Sequence, residues 1–143
     1  MTIFPISFGT PEYDESVALR YEVLRKPLGL EFTPEQLSQE WSDIHLAGFN
    51  PAGIMVAILI LTPADEHTVK MRQVAIAPAL QGQGLGAKLV QASEMLARSQ
   101  NFRRMVLHAR ETAVPFYLKL GYQIVGEPFE EVTIPHAKME KAL

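Results

Sequence analysis

The chain has 143 residues, 48% of them hydrophobic, and a net charge of −3. This length suits one domain with one substantial core, and the weak negative charge gives no field that would attract a nucleic acid or an anionic membrane. The absence of cysteine excludes disulfides, thiol nucleophiles and cysteine-bound metal, and four scattered histidines predict no metal site. We therefore predict a single domain over residues 1–143, with no nucleic-acid, membrane or metal partner.

No membrane or export segment is predicted. The longest apolar block, residues 54–61 (IMVAILIL), is too short to cross a membrane. The first nine residues have neither the basic head nor the cleavage pattern of a signal peptide. We therefore expect a cytoplasmic location.

The first predicted elements are a strand and a helix. Residues 2–8 (TIFPISF) are rich in β-formers and contain a proline, which suits an edge strand. Thr10 and Pro11 are typical of a helix start, and the helix should end near Lys26, before a proline and a glycine. Its apolar residues recur at helical spacing and predict a buried stripe of Val17, Tyr21, Leu24 and Leu28.

A second helix and a β-hairpin follow. Residues 33–36 (TPEQ) form a capping box that opens a short helix reaching about Trp41, and we expect Trp41 to anchor the core. Residues 44–50 and 54–62 predict two strands joined by the turn at 51–53 (PAG). The second strand is apolar throughout, so it should lie in the middle of a sheet covered on both faces.

The rest of the chain predicts four strands and two helices. Residues 68–77 read as a strand, and the glycine-rich stretch 78–90 (PALQGQGLGAKLV) leads into a helix that should end near Ser99. The predicted stripe of this helix is Leu85, Leu89, Ala92 and Leu96. A strand at 103–109 follows. The chain then continues as a helix at 112–120 closed by Gly121, and as strands at 122–126 and 135–143.

Three glycines stand within five positions at the start of the central helix. The first N–H groups of a helix have no internal partner and lie at the positive end of the helix dipole, so they favour an anion. Gly82, Gly84 and Gly86 keep side chains away from these amides and allow positive φ angles. A glycine inside a helix costs about 1 kcal/mol relative to alanine. The cluster therefore predicts phosphate binding rather than a merely tight turn.

Three phosphate-binding patterns compete for this stretch. The P-loop pattern fails, because Ala87 stands where it needs glycine and Leu89 where it needs a hydroxyl. The dinucleotide pattern fits Gly82, Gly84 and Ala87, and Arg110 could serve as a 2′-phosphate partner. Dinucleotide glycines should directly follow the first strand of the sheet, however, whereas several strands precede these. An NADP-binding oxidoreductase stays open as the weaker alternative.

The third pattern fits best. Residues 74–90 (VAIAPALQGQGLGAKLV) resemble the acetyl-CoA signature of the GNAT superfamily of N-acetyltransferases, [QR]xxGx[GA] after a strand and a proline, at Gln81, Gly84 and Gly86. Residues 113–122 (AVPFYLKLGY) resemble the second motif of the superfamily, AxxFYxxxGF. One helix and one strand separate the two motifs in the expected order. The resemblance extends over nearly the whole chain and is closest to small single-domain bacterial members.

The resemblance implies a fold, a cofactor and an activity. The fold would be α/β (α+β): a mixed, mostly antiparallel central sheet of about 6–7 strands with a V-shaped splay between two parallel strands, flanked by about 4 helices. Acetyl-CoA would be the co-substrate, without a metal, and the acetyl group would pass to a primary amine of a small molecule or protein by direct attack in a ternary complex. The implied cofactor-binding residues are Val74, Ala75, Ile76, Gln81, Gly82, Gln83, Gly84, Leu85, Gly86 and Ala87.

The catalytic residues are less specified. The resemblance implies that Tyr117 is the general acid for the departing thiolate, although its reference pKa of about 10 lies above the value of about 8.5 for a thiol. Many relatives keep a Glu on the strand before the glycines, but residues 68–77 contain no carboxylate. His108 is the preferred candidate base, because histidine titrates near neutrality. The other candidates are His45, Glu22, His136, a water oriented by Gln73 and a water chain to bulk.

Several points stay open at this stage. Gln81 replaces the commoner Arg of the signature, and Arg110 stands where many members have a cofactor-binding Asn. The acceptor amine could be attracted by Glu127, Glu130 and Glu131, or bind in an apolar pocket of the first helices. A non-catalytic acyl-CoA-binding module of the same fold is the main alternative function. The final strand leaves a homodimer open.

Overall fold

The computed structural model describes residues 1–143 and contains eight strands and four α-helices. The strands are β1 (Thr2–Ile6), β2 (Ile44–Phe49), β3 (Met55–Pro63), β4 (Thr68–Ile76), β5 (Arg104–Arg110), β6 (Gln123–Ile124), β7 (Phe129–Glu131) and β8 (Ile134–Ala142). The helices are α1 (Pro11–Arg20), α2 (Pro34–Ser38), α3 (Leu85–Ser99) and α4 (Val114–Lys119). The strand order is β1-β2-β3-β4-β5-β8-β6, with β7 paired to β8. The predicted mixed, mostly antiparallel sheet is confirmed.

The chain divides into two compact units. The first unit comprises Met1–Thr62 and Gln73–Ser93, and the second comprises Pro63–Arg72 and Glu94–Leu143. The strand β4 and the helix α3 each contribute residues to both units. The single domain over residues 1–143 stays a prediction.

The first unit is built on an antiparallel sheet of β1, β2 and β3. Thr2 pairs with Phe49 between β1 and β2, and β1 lies at the edge of the sheet, as predicted. In β3 the side chains from Ile58 to Leu61 are completely inaccessible. The prediction that this apolar strand is central and covered on both faces is confirmed.

The helix α1 begins as predicted and ends irregularly. Thr10 Oγ1 accepts a hydrogen bond from the N–H of Tyr13, and Pro11 occupies the first turn. A π-helical segment, Tyr21–Arg25, continues the helix, and a short 3₁₀ turn then closes at Gly29 with a φ of 67°. The helical stretch thus ends close to the predicted position.

The apolar stripe predicted for the first helix is buried only in part, although Leu24 packs against the core. Its members Val17, Tyr21, Leu24 and Leu28 are only half-buried. The residues that α1 buries are Tyr13, Ser16 and Arg20. Hydrophobic periodicity assigns an arginine to the surface and cannot recognise a partner that makes its burial possible.

The prediction that Trp41 anchors the core is also wrong. The side chain is 70% exposed and lies in the 3₁₀ turn Gln39–Ser42 that follows α2. The same turn buries Glu40 instead. In a 3₁₀ turn successive side chains differ by about 120° in direction, so neighbouring residues face different sides. The predicted capping box of Thr33 and Gln36 is present at the start of α2.

The second unit is organised around β5 and β8. The strand β4 pairs in parallel with β5, from Thr68 opposite Arg104 to Met71 opposite Leu107. This pairing confirms the predicted parallel neighbours, and the splay beyond it stays a prediction. The strand β8 runs antiparallel to β5, β6 and β7. The sequence did not predict β7, which forms a hairpin with β8.

The remaining helices α3 and α4 agree with the prediction in position, but the buried face of α3 differs from the predicted one. The helix α3 buries Leu89, Val90, Ser93, Glu94 and Ala97. Of the predicted stripe only Leu89 is fully buried, because the buried face includes two polar residues. Gly121 has a φ of 95°, as expected for the residue that closes α4. No helix combines the length and apolar character that a membrane crossing requires.

Candidate functional site

The residues predicted to bind a cofactor all lie in the first unit. They form the end of β4, the glycine loop and the first turn of α3, namely Val74–Ile76 and Gln81–Ala87. The side-chain Nε2 of Gln81 donates a hydrogen bond to the carbonyl oxygen of Ile76 at 3.1 Å. The structure thus ties the glycine loop back to the strand end.

Two of the three glycines have the conformation that the pattern predicts. Gly82 and Gly84 have φ angles of 80° and 82°, and a Cβ added at either would meet nothing within 4 Å. Glycine is therefore favoured at these two positions by the backbone conformation, and not because a side chain would clash with a neighbour. Gly86 differs, because it lies inside α3 and has no positive φ.

The loop leads directly into the N-terminus of α3. Residues Gln81–Gly84 are exposed, and Lys88 N donates to the carbonyl oxygen of Gly84 at 3.3 Å as an early bond of the helix. The amides of Leu85, Gly86 and Ala87 come before that bond and have no acceptor within the helix. This arrangement can bind an anion, because exposed loop amides and the positive end of the helix dipole lie together.

Tyr117 lies on α4 in the second unit and is 7% exposed. Its ring packs edge-on against Phe116 and Tyr122, with centroids 5.0 and 5.7 Å away, and its hydroxyl forms no hydrogen bond. Burial raises the pKa of Tyr117 to about 12. Complete proton transfer to a thiolate of pKa about 8.5 would then be uphill by about 5 kcal/mol. The buried hydroxyl is better suited to donating a hydrogen bond to a sulfur than to losing its proton.

His108 lies in a cluster of titratable side chains in the second unit. Its Nδ1 is 3.1 Å from Glu131 Oε1 and 3.4 Å from Lys70 Nζ. The other carboxylate oxygen of Glu131 is 3.5 Å from His136 Nε2. The Phe129 ring packs edge-on against His108 and stacks on His136. The structure thus joins two candidate bases and one acidic residue that the sequence pointed to separately.

The charges of this cluster shift two pKa values. Burial alone would raise the pKa of the Glu131 carboxyl, but the hydrogen bond and charge of His108, with the charges of His136 and Lys70, hold it below its usual value. Burial lowers the pKa of the Lys70 ammonium, opposed by Glu131 and assisted by Arg72 and Lys138.

The tautomer of His108 decides what the cluster can do. With a proton on Nδ1, His108 donates to Glu131 and keeps a lone pair on Nε2, as a base requires.

No group of three His, Asp or Glu side chains in the structure is placed to hold a metal ion.

The other residues considered from the sequence have different surroundings. His45 is buried, with Nε2 2.9 Å from the carbonyl oxygen of Glu40. Glu22 is exposed and lies 3.5 Å from Lys26. Glu127 and Glu130 are exposed. Of the three acidic residues considered for the acceptor, Glu131 alone belongs to the histidine cluster.

The sequence missed a buried polar network in the first unit. Arg20 donates to both carboxylate oxygens of Glu40, at 2.8 and 2.7 Å, and the Tyr13 hydroxyl donates to Oε1 at 2.7 Å. Arg20 Nε also donates to Gln73 Oε1 at 3.3 Å. Burial and the bond to Glu40 raise the pKa of Tyr13. The sequence gives no local pattern that would predict this network, because Arg20 and Glu40 lie on separate elements.

The second unit has a comparable buried network. The Tyr122 hydroxyl donates to Glu94 Oε2 at 2.7 Å, and burial with this bond raises the pKa of Tyr122. Lys141 Nζ donates to Glu94 Oε1 at 3.0 Å and to the carbonyl oxygen of Leu120 at 2.7 Å. This network connects α3, the segment that follows α4, and β8, and it explains why α3 buries a glutamate.

A cavity of about 470 Å³ opens in the first unit beside α1. Aromatic rings, two carboxylates and three aliphatic side chains line it: Tyr13, Tyr21, Phe32, Asp14, Glu31, Val17, Ala18 and Leu37. It lies beside the first helices, where an apolar acceptor pocket was one of the alternatives, but its lining includes Asp14 and Glu31. None of the predicted cofactor or catalytic residues lines it.

The mostly antiparallel strand order with its parallel β4–β5 pair is that of the acyl-CoA N-acyltransferase fold. The family model of the acetyltransferase (GNAT) domain matches residues 27–143. The chain belongs to this family.

Two solved structures share this fold, and a curated sequence is similar to part of the chain. An acyl-CoA N-acyltransferase from Pseudomonas aeruginosa is 25% identical, covers 99% of each chain and has a TM-score of 0.82. A GNAT family acetyltransferase from Elizabethkingia anophelis with acetyl-CoA bound is 21% identical, covers 99% of this chain and 97% of its own, and has a TM-score of 0.77. The protein YyaT of Bacillus subtilis (strain 168) is 35% identical over 77 residues, 54% of this chain and 52% of YyaT. The chain spans about half the length of the curated relatives it matches first.

Proposed function

We propose that this protein is an acetyl-CoA-dependent N-acetyltransferase that acetylates a primary amine of a small molecule or a protein by direct attack in a ternary complex. The observation that carries the proposal is the exposed loop in which Gly82 and Gly84 adopt left-handed conformations just before the first amides of α3. Membership of the acetyltransferase family supports it, as does the likeness to a structure with acetyl-CoA bound. A cytoplasmic location and a single domain are part of the proposal.

In this proposal the coenzyme lies along the first unit. The diphosphate binds the amides from Gln81 to Ala87, while the pantetheine arm and the thioester carbonyl contact the main chain of Val74, Ala75 and Ile76. An amide directed at the carbonyl oxygen would stabilise the tetrahedral intermediate by about 3 kcal/mol. The side chain of Gln81 keeps the loop and the strand end together through its bond to Ile76.

The chemical step needs a neutral amine and a stabilised leaving group. The amine lone pair attacks the thioester carbon, a C–N bond forms, and the C–S bond breaks to release the coenzyme as a thiolate. The Tyr117 hydroxyl donates a hydrogen bond to the departing sulfur. The proton of the amine passes to His108 Nε2 or to water.

Two matched glycine variants test the coenzyme site. Gly84 and Gly53 have φ angles of 82° and 79°, both in open space, so alanine strains the backbone equally at either position. Of these two glycines, only Gly84 lies in the loop that contacts the diphosphate in the proposal. Calorimetry should show acetyl-CoA binding by the wild type and by Gly53→Ala, and affinity reduced about tenfold or more in Gly84→Ala.

A second candidate function is an acyl-CoA-binding module without turnover, favoured by the absence of a carboxylate from β4. Thiol release from acetyl-CoA with a panel of primary amines separates the two, since only an enzyme releases thiol in an amine-dependent manner. Absence of heat with acetyl-CoA at millimolar concentration would overturn both functions. Heat with NADP instead would favour an oxidoreductase.

A further inference from the structure

We propose that Arg20 is a positioning residue for acyl transfer. Through Glu40 and Gln73 it fixes the main chain at the end of β4, where the thioester carbonyl binds in the proposed function, on which this inference rests. All four contributing parts, namely Arg20, Glu40, Gln73 and the run Val74–Ile76, lie in the first unit. None of them was assigned this role by the sequence patterns.

The first observation is the burial of a charged pair. Arg20 is completely inaccessible and Glu40 is 3% exposed. Both carboxylate oxygens of Glu40 accept from the guanidinium, and Tyr13 donates to one of them. Removing two charges from water costs about as much as their attraction returns, so a buried pair is weak evidence of a stabilising role. What the pair does provide is one fixed direction for the Arg20 guanidinium.

The second observation is the conformation of Gln73. Its φ is 55°, although it lies inside a strand and is not a glycine. Such a conformation persists only where surrounding contacts hold it, and it occurs preferentially at functional sites. The contact that holds the side chain is the bond from Arg20 Nε to Oε1. Because Gln73 directly precedes Val74, its backbone angles set the direction of the amides that follow.

The third observation is the helix that carries Arg20. Arg20 ends the regular part of α1, and the π-helical segment Tyr21–Arg25 follows at once. Single π-helical turns inside α-helices occur frequently at functional sites. The guanidinium carbon of Arg20 also lies 4.7 Å from the centroid of the Phe32 ring. The buried ion pair, the positive φ of Gln73 and the π-helical segment therefore all involve Arg20 or a residue next to it in contact. Through Gln73, the contacts of Arg20 reach the end of β4.

Two variants and one control separate positioning from general stability. Gln73→Met keeps the side-chain length and removes the amide whose oxygen accepts from Arg20, while both partners of the Arg20–Glu40 pair are kept. Arg20→Lys keeps a charge for Glu40 but loses the fork that reaches Gln73. Thr10→Ala removes the N-cap bond to the Tyr13 N–H and destabilises the same helix, but it removes none of the side-chain bonds among Arg20, Glu40 and Gln73.

The first measurement needs no ligand. Amide chemical shifts and hydrogen exchange of Val74–Ile76 are compared by NMR in the wild type and the three variants. We expect shifted signals and exchange about tenfold faster or more in Gln73→Met and Arg20→Lys, and wild-type behaviour in Thr10→Ala. Wild-type signals at these amides in Gln73→Met would overturn the positioning role.

The second measurement divides binding from chemistry. In Gln73→Met we expect the Kd for acetyl-CoA to stay within about threefold of the wild type, while kcat falls about tenfold or more. An unchanged kcat with wild-type acetyl-CoA binding would overturn the positioning role alone. A wild-type protein that binds no acetyl-CoA would overturn the proposed function. The amide measurement needs no ligand, so it would still show whether Arg20 fixes the main chain at the end of β4.

Discussion

At the scale of single residues, Tyr117 has the clearest chemical consequence. Its raised pKa means that the hydroxyl holds its proton more firmly than an ordinary tyrosine does, so in the proposed function it would donate a hydrogen bond to the sulfur without losing the proton. Tyr117→Phe removes only that hydroxyl. We expect kcat to fall about tenfold to hundredfold with an unchanged Kd for acetyl-CoA, measured by thiol release and calorimetry.

Tyr122→Phe is the matched control for this prediction. It removes a hydroxyl that bonds Glu94 and keeps the ring that packs on Tyr117. We expect lower stability with retained turnover, because that hydroxyl serves the fold. Wild-type turnover in Tyr117→Phe would return Tyr117 to a packing role.

Glu131 gives a pH-dependent prediction at the same scale. Its folded pKa is lowered, so the ionised carboxylate stabilises the fold above the unfolded pKa of about 4.3, and this contribution is lost as the pH falls through the folded pKa. The side chain is 45% exposed and therefore screened. Urea unfolding should show Glu131→Gln less stable than the wild type by about 0.2–1 kcal/mol at pH 6 and equally stable near pH 2.

The neighbouring Glu130 provides the control for Glu131. It is exposed on the same short strand, and Glu130→Gln should leave the unfolding free energy unchanged at both pH values. A stability difference for Glu131→Gln that grows as the pH falls would contradict the assigned sign.

At the scale of elements, the turn between β7 and β8 is strained. Val132 and Thr133 have φ angles of 44° and 66°, although both are β-branched. A two-residue hairpin turn with positive φ at both positions favours Asn-Gly. We expect the double variant Val132→Asn with Thr133→Gly to gain about 1–2 kcal/mol of stability and several degrees in Tm, measured by calorimetry. Val132→Ile keeps the branching and should not raise the Tm, and equal Tm values in all three proteins would refute the strain.

The elements also show what a sequence can predict. The caps at Thr10 and Thr33 and the all-apolar β3 were predicted correctly, because their signals lie within a few adjacent residues. The buried face of α1 was not, because the burial of Arg20 depends on a carboxylate twenty positions away. The strand β7 was missed because it has three residues and a turn without glycine or asparagine.

The same distinction applies to the candidate site. The loop at Gly82 and Gly84 was predicted from local glycine spacing and a motif. The histidine cluster was not predicted as a unit, because His108, Glu131 and His136 come together only through the pairing of β5, β7 and β8. The register of that pairing cannot be read from the strands separately.

At the scale of the whole molecule, ligand binding should appear as stability. A ligand at 100 times its Kd adds about 2.7 kcal/mol to the folded state, which for a chain of this size raises the Tm by about 10 °C. We expect this shift with acetyl-CoA and none with the same concentration of NADP, measured by calorimetry. One transition moving as a whole would support a single domain, and a shift with NADP alone would contradict the assignment of the loop.

The exposure of Trp41 has a practical consequence for anyone studying this protein. It is the single tryptophan of the chain, and its indole already contacts water in the native state. The emission spectrum should therefore change little on denaturation, so tryptophan fluorescence is a poor probe of folding here. Because the indole is exposed, a change in its fluorescence emission would report a molecule that binds at the turn after α2.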